Sequence, residues 1–530
     1  MKILAPLLLA SVFSTSPLIA QRFEDVLLTP KPFHAIADGY YGHGVAIDGD
    51  LMVIGSSMDA HMRPSAGGVT VYHEDLSTGA WIEDGHFHAA DARENAKFGM
   101  FVWADAQTRR IGVGARGDQV TGATSGSAYI YKETSLGVWE LETKLIPPDS
   151  APNIHFGASI VLDGDWALVG AYKDDTNGED SGSAYFFKFD PAQGTWLFHQ
   201  KLMPPDAGVN DRFGRYNSLR DGRASIGASR DDDLGDDCGS VYVYVYNPQT
   251  DLWDLEEHVF GSDTNVRDRL GISSSIQGDT MVAGAFWDND PGASQAGSAY
   301  VFHRDPVDGK WKQTQKIVPP DSHDEMWFGS YVMLEGDLLA IGAFGDDIIS
   351  DAGGSTFIYK FDAQTMEYKQ VNRLFMRDVE ANDWTGRFFC LDDERILIGN
   401  RFTDSPAGDS NIGSAGIYRA VDFRMNIFPK NVLPGSFFSI KVKGGKPNAS
   451  IGMAYTFANP AWGVTWLFNP KVSLDLQNPA VAPSANKLTN SKGEKSAVQW
   501  IPASVPSGMS LAFQAFQDGQ KSNVSFLHIQ

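Results

Sequence analysis

Cysteine is nearly missing from this chain: Cys238 and Cys390 are the only two in 530 residues. They stand in different repeats of the sequence, so a disulfide-stapled scaffold is excluded and both are read as unpaired. Basic charge is also scarce, with 43 Lys and Arg against 66 Asp and Glu, a net charge of -23. Neutralising a phosphate backbone needs a basic surface, so a nucleic-acid partner is excluded. Long apolar runs are confined to the first 20 residues, where Lys2 precedes the run Ile3 to Val12 and small residues follow. That layout predicts a secretory signal over residues 1–20, cut after Ala20 or after Ser16. No later stretch reaches the roughly 20 apolar residues that cross a bilayer. The expectation is a chain without a transmembrane segment, secreted or held at a cell surface. What the chain has in quantity is glycine, 54 residues with 26 Pro, the composition of a globular protein rich in turns.

The glycines are periodic. Gly42, Gly99, Gly157, Gly214, Gly271, Gly329 and Gly386 follow one another at steps of 57 or 58, and Gly55, Gly114, Gly170, Gly227, Gly284, Gly342 and Gly399 keep nearly the same step. Within the third unit, apolar runs at Ser159 to Leu162, Trp166 to Val169, Ala184 to Phe189 and Trp196 to Met203 are parted by Asp163-Gly164, an acidic loop and a Pro191 turn. Asp-Gly between apolar runs suits a two-residue hairpin, so each unit reads as a four-stranded antiparallel meander. A single small sheet cannot bury both faces, and radial closure covers the faces and the edges together. The predicted fold is therefore all-β, a seven-bladed propeller over residues 21–423. The seventh unit lacks its last strand, and Val26 to Thr29 is predicted to supply it. From about Arg424 alternating apolar segments predict a small β-sandwich over 424–530, basic with 10 Lys and Arg against 3 Asp and Glu, so the first 423 residues carry -30.

The pairs Tyr41-Gly42, Phe98-Gly99, Phe156-Gly157, Phe213-Gly214 and Phe328-Gly329, each followed by Gly-Ala or a similar pair, such as Gly114-Ala115 or Gly170-Ala171, resemble FG-GAP repeats. That resemblance implies the propeller of integrin alpha subunits and of exported bacterial proteins, and a role in recognition. Integrin-type repeats often carry a D-x-D-x-D-G-x-x-D calcium loop in the first hairpin; here the hairpin is cut to Asp163-Gly164-Asp165 or its equivalent. Too few oxygens remain for the 6 to 8 ligands about a calcium ion.

Carboxylates mark the loops on one side of such a disc. Asp59, Asp118, Asp174, Asp231, Asp288 and Asp346 stand four residues after the second glycine series and Asp404 five after; Asp91, Asp149, Asp206, Asp263, Asp321 and Asp378 stand eight before the next repeat's first glycine. Two concentric acidic rings are expected. Asp118, Asp174, Asp175, Asp231, Asp288, Asp346 and Asp347 are the candidate ligand-binding face, although a recurring Asp is also the residue that caps a turn. Asp231, Asp232, Asp233, Asp236 and Asp237 are the candidate cation site, for Ca2+ if any, because clustered carboxylates suit hard cations.

Other signals point nowhere definite. Gly112 to Gly117 matches a phosphate-loop pattern without the helix it requires, and Arg116-Gly117-Asp118 spells an integrin-recognised tripeptide whose Asp belongs to the repeat. His86 and His88 face one side of a predicted strand with no third metal ligand in view, and read as solvated. No nucleophile motif appears. The reading is a non-enzymatic recognition or adhesion protein that presents its acidic face to an extracellular protein or glycan. The basic module is a possible contact to an anionic envelope. A polysaccharide hydrolase or lyase using loop carboxylates, or a structural envelope component, is the alternative.

Overall fold

A computed structural model describes residues 26–420, apart from 30, 32–33, 290–291, 377–378 and 405–409, together with the backbone of eight strands between Arg424 and Ile529. The expected signal segment lies outside the described residues.

Seven four-stranded antiparallel sheets follow one another along Arg22–Val421, which forms one compact unit. Blade one is Tyr41–Asp48, Leu51–Ser56, Gly68–Asp75 and Ala80–Phe87; blade three is Ile160–Asp163, Trp166–Ala171, Ser183–Asp190 and Thr195–Leu202. Gly164 turns the first hairpin of blade three with φ +59, the positive φ that a two-residue hairpin demands.

Ring closure is visible in the pairing. Val26–Leu28 lies antiparallel on Ser414–Arg419, with Leu27 opposite Gly416, and completes the seventh sheet ahead of Arg395–Asn400 and Phe388–Asp392. A parallel bridge then joins each blade to the next, from Gly67 to Phe98 and Gly126 to Phe156 round to Gly413 and Tyr41. Seven such bridges return to the starting blade. The two glycine series face each other across these junctions: a Cβ on Gly170 would stand 1.8 Å from the Gly214 carbonyl oxygen, and one on Gly55 1.8 Å from that of Gly99. No side chain fits there, which is why the chain spells glycine at a 57-residue step.

The aromatic residue beside the first glycine fills the blade. Phe98, Phe156 and Phe213 meet Tyr129, Tyr185 and Tyr242 of the third strand edge-on, 5.2 to 5.4 Å between centroids, an arrangement aromatic rings favour. At the axis, rings from blades two, four, six and seven converge: Tyr216 lies 6.1 Å from Phe101, 6.1 Å from Tyr331 and 5.9 Å from Phe388. The hub is plugged by these four side chains. Cys238 and Cys390 are buried and unpaired.

Beyond the propeller, the described strands form two sheets, one of Arg424–Phe428, Phe437–Lys443 and Lys495–Trp500, the other built around Ile451–Ala458, Ser510–Gln517 and Ser525–Ile529. Parts of the expected β-sandwich, among them the apolar segment Val464 to Phe468, lie outside the described residues.

Candidate functional site

The loop between second and third strands and the loop between blades open on one side of the disc, as the meander dictates. The recurring Asp begins the first loop, and it is buried. Asp118, Asp174, Asp231, Asp288 and Asp346 are 1 to 4% exposed. In blade three, Asp174 Oδ2 accepts hydrogen bonds from Ser183 Oγ at 2.7 Å and Tyr185 OH at 2.9 Å, while Oδ1 accepts the Thr176 N–H at 2.9 Å. Lys201 Nζ reaches Asp174 at 2.7 Å and the outer-ring Asp149 at 2.6 Å. Burial raises the Asp174 carboxyl, but hydrogen bonds from Lys201, Thr176 and Ser183 outweigh it and hold the group at about 2. Buried charge persists only when paired and bonded in this way. The same spoke recurs with Lys144 between Asp91 and Asp118, His258 between Asp206 and Asp231, Lys316 between Asp263 and Asp288, and Arg373 between Asp321 and Asp346.

The expected ligand face thus divides. Asp118, Asp174, Asp231, Asp288 and Asp346 join loop to strand; Asp175 and Asp347 are exposed. With Asp118 1% exposed, the Arg-Gly-Asp tripeptide presents no free carboxylate. The blade-four acids do not form one constellation. Asp231 is a spoke, Asp233 gathers with Asp206 and His258, and Asp232 gathers with Asp236 and Asp237, each set within 4.8 Å. Arg269 and Arg267 reach Asp237 and Asp236 at 2.9 and 3.4 Å, so the protein supplies counter-charge there. Asp404 is exposed, and Asp378 lies outside the described residues.

Inside the acidic rim the face changes sign. Tyr40, Lys97, His155, Arg212, Arg269, Trp327 and Trp384, each two residues before the repeat's first glycine, all have φ between 55 and 60 although none is glycine. Left-handed backbone costs a side-chain-bearing residue of the order of 1 kcal/mol. It is repeated seven times around the axis. Near these residues stand Arg116, Arg215, Arg387 and Arg401. Arg401 lies over Phe402 at 4.5 Å and over Tyr40 and Trp384 at 5.8 Å each; Arg387 lies over Phe344 at 5.1 Å and Trp384 at 5.3 Å. Arg215 stacks over Tyr172 at 5.5 Å, whose hydroxyl accepts a bond from Arg116 at 3.1 Å. Arg116, Tyr172, Arg215 and Met100 line a small cavity floored by Phe101, Tyr216 and Phe388, the axial plug.

These cations lack carboxylate partners among the described residues, and Arg401 Nε is buried without an acceptor. Burial, then the charges of Arg387 and Arg116, push the Arg401 guanidinium down to about 9. Burial and the same cations hold His43 well below the usual imidazole range. Lys97 is lowered by burial, Arg116 and Arg401. Cations that disfavour one another's charge in a shielded place stabilise an anion there. The sequence does carry a signal for this hub, since its residues flank the two glycine series, but they vary from blade to blade and so escape a search for repetition.

Residues 139–187, 196–244, 253–302 and 311–359 match the FG-GAP repeat model. Each match starts at the outer strand's Trp and ends in the next blade's third strand. These four stretches carry FG-GAP repeats, and they lie within a closed β-propeller of seven blades. No curated protein matches the sequence. Among solved structures, the fold is similar to Sqt1 of Saccharomyces cerevisiae, at 10% identity and TM-score 0.39, over 76% of this chain and 99% of that one. It is also similar to a putative 6-phosphogluconolactonase of Bacteroides uniformis, at 11% and 0.43, over 63% and 85%. A third is the periplasmic gluconolactonase PpgL of Pseudomonas aeruginosa, at 11% and 0.42, over 63% and 85%.

Proposed function

We propose that this is a non-enzymatic recognition protein, exported or surface-held, that binds an acidic glycan group at the cationic hub of its loop face. One observation carries the reading: Arg116, Arg215, Arg387 and Arg401 meet at the axis with aromatic neighbours and without described carboxylate partners. Guanidinium matches carboxylate and sulfate oxygens in pairs, and partly exposed Tyr40, Trp384 and Phe402 offer flat apolar faces to a sugar ring. Buffering by Lys144, Lys201, Lys316 and Arg373 leaves the rim carboxylates as scaffold, with exposed Asp175 and Asp347 at its surface. FG-GAP propellers are compatible with ligand binding and adhesion. Among the described residues no helix is long and apolar enough to cross a membrane, and the basic segment 424–530 is the proposed contact to an anionic envelope.

Titration calorimetry with uronic or sulfated oligosaccharides and their neutral counterparts tests the hub. Acidic ligands should bind with an affinity that falls as salt rises, and R387Q/R401Q should weaken them at least tenfold. Equal binding of neutral and acidic sugars, or an unaffected double variant, would remove the proposal. Shortening of the glycan during incubation would replace recognition by turnover.

A further inference from the structure

Blade one departs from the spoke that blades two to six share. Where those blades place Ser127, Ser183, Ser240, Ser298 and Ser355 against the recurring Asp, blade one has Gly68; where they place Lys144, Lys201, His258, Lys316 and Arg373, it has His86. Two residues further along, where the other blades carry Ile146, Met203, Phe260, Val318 and Phe375, blade one has His88, and its loop adds His61. Three imidazoles therefore converge on one buried carboxylate. Asp59 Oδ1 is 2.9 Å from His61 Nδ1, and Oδ2 is 2.9 Å from His86 Nε2 and 3.3 Å from His88 Nε2. One donor atom from each of the four lies within 4.8 Å of the others.

We infer that Asp59, His61, His86 and His88 form a metal site for a borderline divalent ion, zinc first. Three imidazole nitrogens with one carboxylate oxygen suit Zn2+ or its first-row neighbours, whereas calcium demands 6 to 8 oxygens, or about that number. Bonds of about 2.0–2.1 Å in a tetrahedron set donors roughly 3.3 Å apart, and the observed contacts from Asp59 already stand near that spacing. Support surrounds the donors as in metal centres. His86 Nδ1 is 2.9 Å from Thr70 Oγ1, which fixes the ring so that Nε2 faces the site. His34 stacks on His86 at 4.3 Å and covers that side. Gly68 makes the room: a Cβ there would come within 2.9 Å of His86 Nε2 and 3.1 Å of Asp59 Oδ2, the donor atoms themselves. Burial of His88 Nε2 without a hydrogen bond is the condition that a metal bond would resolve. His61 is exposed, leaving a route for the ion. Four protein donors fill a tetrahedron, so the ion ties the second-to-third-strand loop to the outer strand and does no chemistry.

The test uses the full chain without a histidine tag, stripped by chelator. Titrated Co2+ should give one equivalent of tetrahedral visible absorption that Zn2+ abolishes, and Zn2+ should raise the melting temperature. H61A, at an exposed position, and G68S, which keeps every donor and fills the gap, should each weaken Zn2+ at least tenfold while the stripped H61A protein melts with the stripped wild type. No tetrahedral Co2+ signal in the wild type overturns the inference. So does Zn2+ binding that neither substitution weakens.

Discussion

Replacing Asp174 by Asn tests the spoke, because it keeps the shape and removes the charge. A carboxyl held at about 2 when folded and at about 3.9 when unfolded contributes roughly 2.6 kcal/mol, at about 1.4 kcal/mol per tenfold change in proton affinity. The folded value is depressed, so this stability is complete above the unfolded value and is lost as pH falls from about 4 toward 2. The amide oxygen still accepts the Thr176 N–H while its NH2 takes the place of the oxygen that faced Ser183, much as a protonated carboxyl would lose one acceptor, and Lys201 keeps Asp149 at 2.6 Å, so the difference reports chiefly the charge. Urea midpoints read by Trp fluorescence, at unchanged m-value, should place D174N about 2 to 3 kcal/mol below wild type at pH 7. The gap should close to under about 1 kcal/mol near pH 2. The exposed neighbour variant D175N should stay within about 0.5 kcal/mol throughout. A D174N deficit that is absent at pH 7, or constant over that pH range, would refute the reasoning.

Two further outcomes follow from the ring itself. G170A drives a Cβ to 1.8 Å from the Gly214 carbonyl oxygen, while at Gly164, with φ +59, nothing lies within 4 Å. G170A should therefore cost more than about 3 kcal/mol and G164A about 1 kcal/mol, and equal melting temperatures would contradict the packing. Deleting Val26–Leu28 removes the partner of Ser414–Arg419 and opens a sheet edge that invites pairing with another chain. Light scattering should report concentration-dependent association and calorimetry an earlier melt; an unchanged monomer would show that blade seven needs no closing strand.

The blade count, the strand order and the closing segment were legible because each obeys a constraint that repeats. A backbone contact that tolerates no Cβ forces glycine at Gly55 and Gly170 alike, and a two-residue turn forces it at Gly164. The depth of an Asp was not legible. Asp174 and Asp175 are adjacent and chemically identical, yet one is 4% exposed and the other faces solvent. What separates them is the position of Ser183, Tyr185 and Lys201, which lie 9, 11 and 27 residues on, and only the folded meander brings these together. The metal candidate was half legible: His86 and His88 share a strand face, but Asp59 and His61 sit across two hairpins. Comparing the units at one aligned position, where Gly68 replaces serine, would have flagged blade one.

The charge pattern also limits how a ligand can sit. Each spoke places two carboxylates on one cation, as Lys201 serves Asp149 and Asp174, so each of those blades leaves a negative excess at the rim while the cations gather at the axis. At the other end of the axis acids gather: Asp105 and Glu335 stand near Asp48, and Arg220 of blade four binds Glu335 of blade six at 3.1 Å. Burial first, with Asp105 and Glu335 among the nearby charges, raises the Asp48 carboxyl. A polyanion lying flat across the loop face would have to cross the rim on both sides of the hub and meet like charge twice. A single terminal acidic group descending along the axis meets only the arginines and their rings. The proposed binding of an acidic group at the hub is therefore expected to be end-on, by a chain terminus, with the aromatic plug of Phe101, Tyr216, Tyr331 and Phe388 setting the depth at which it would stop.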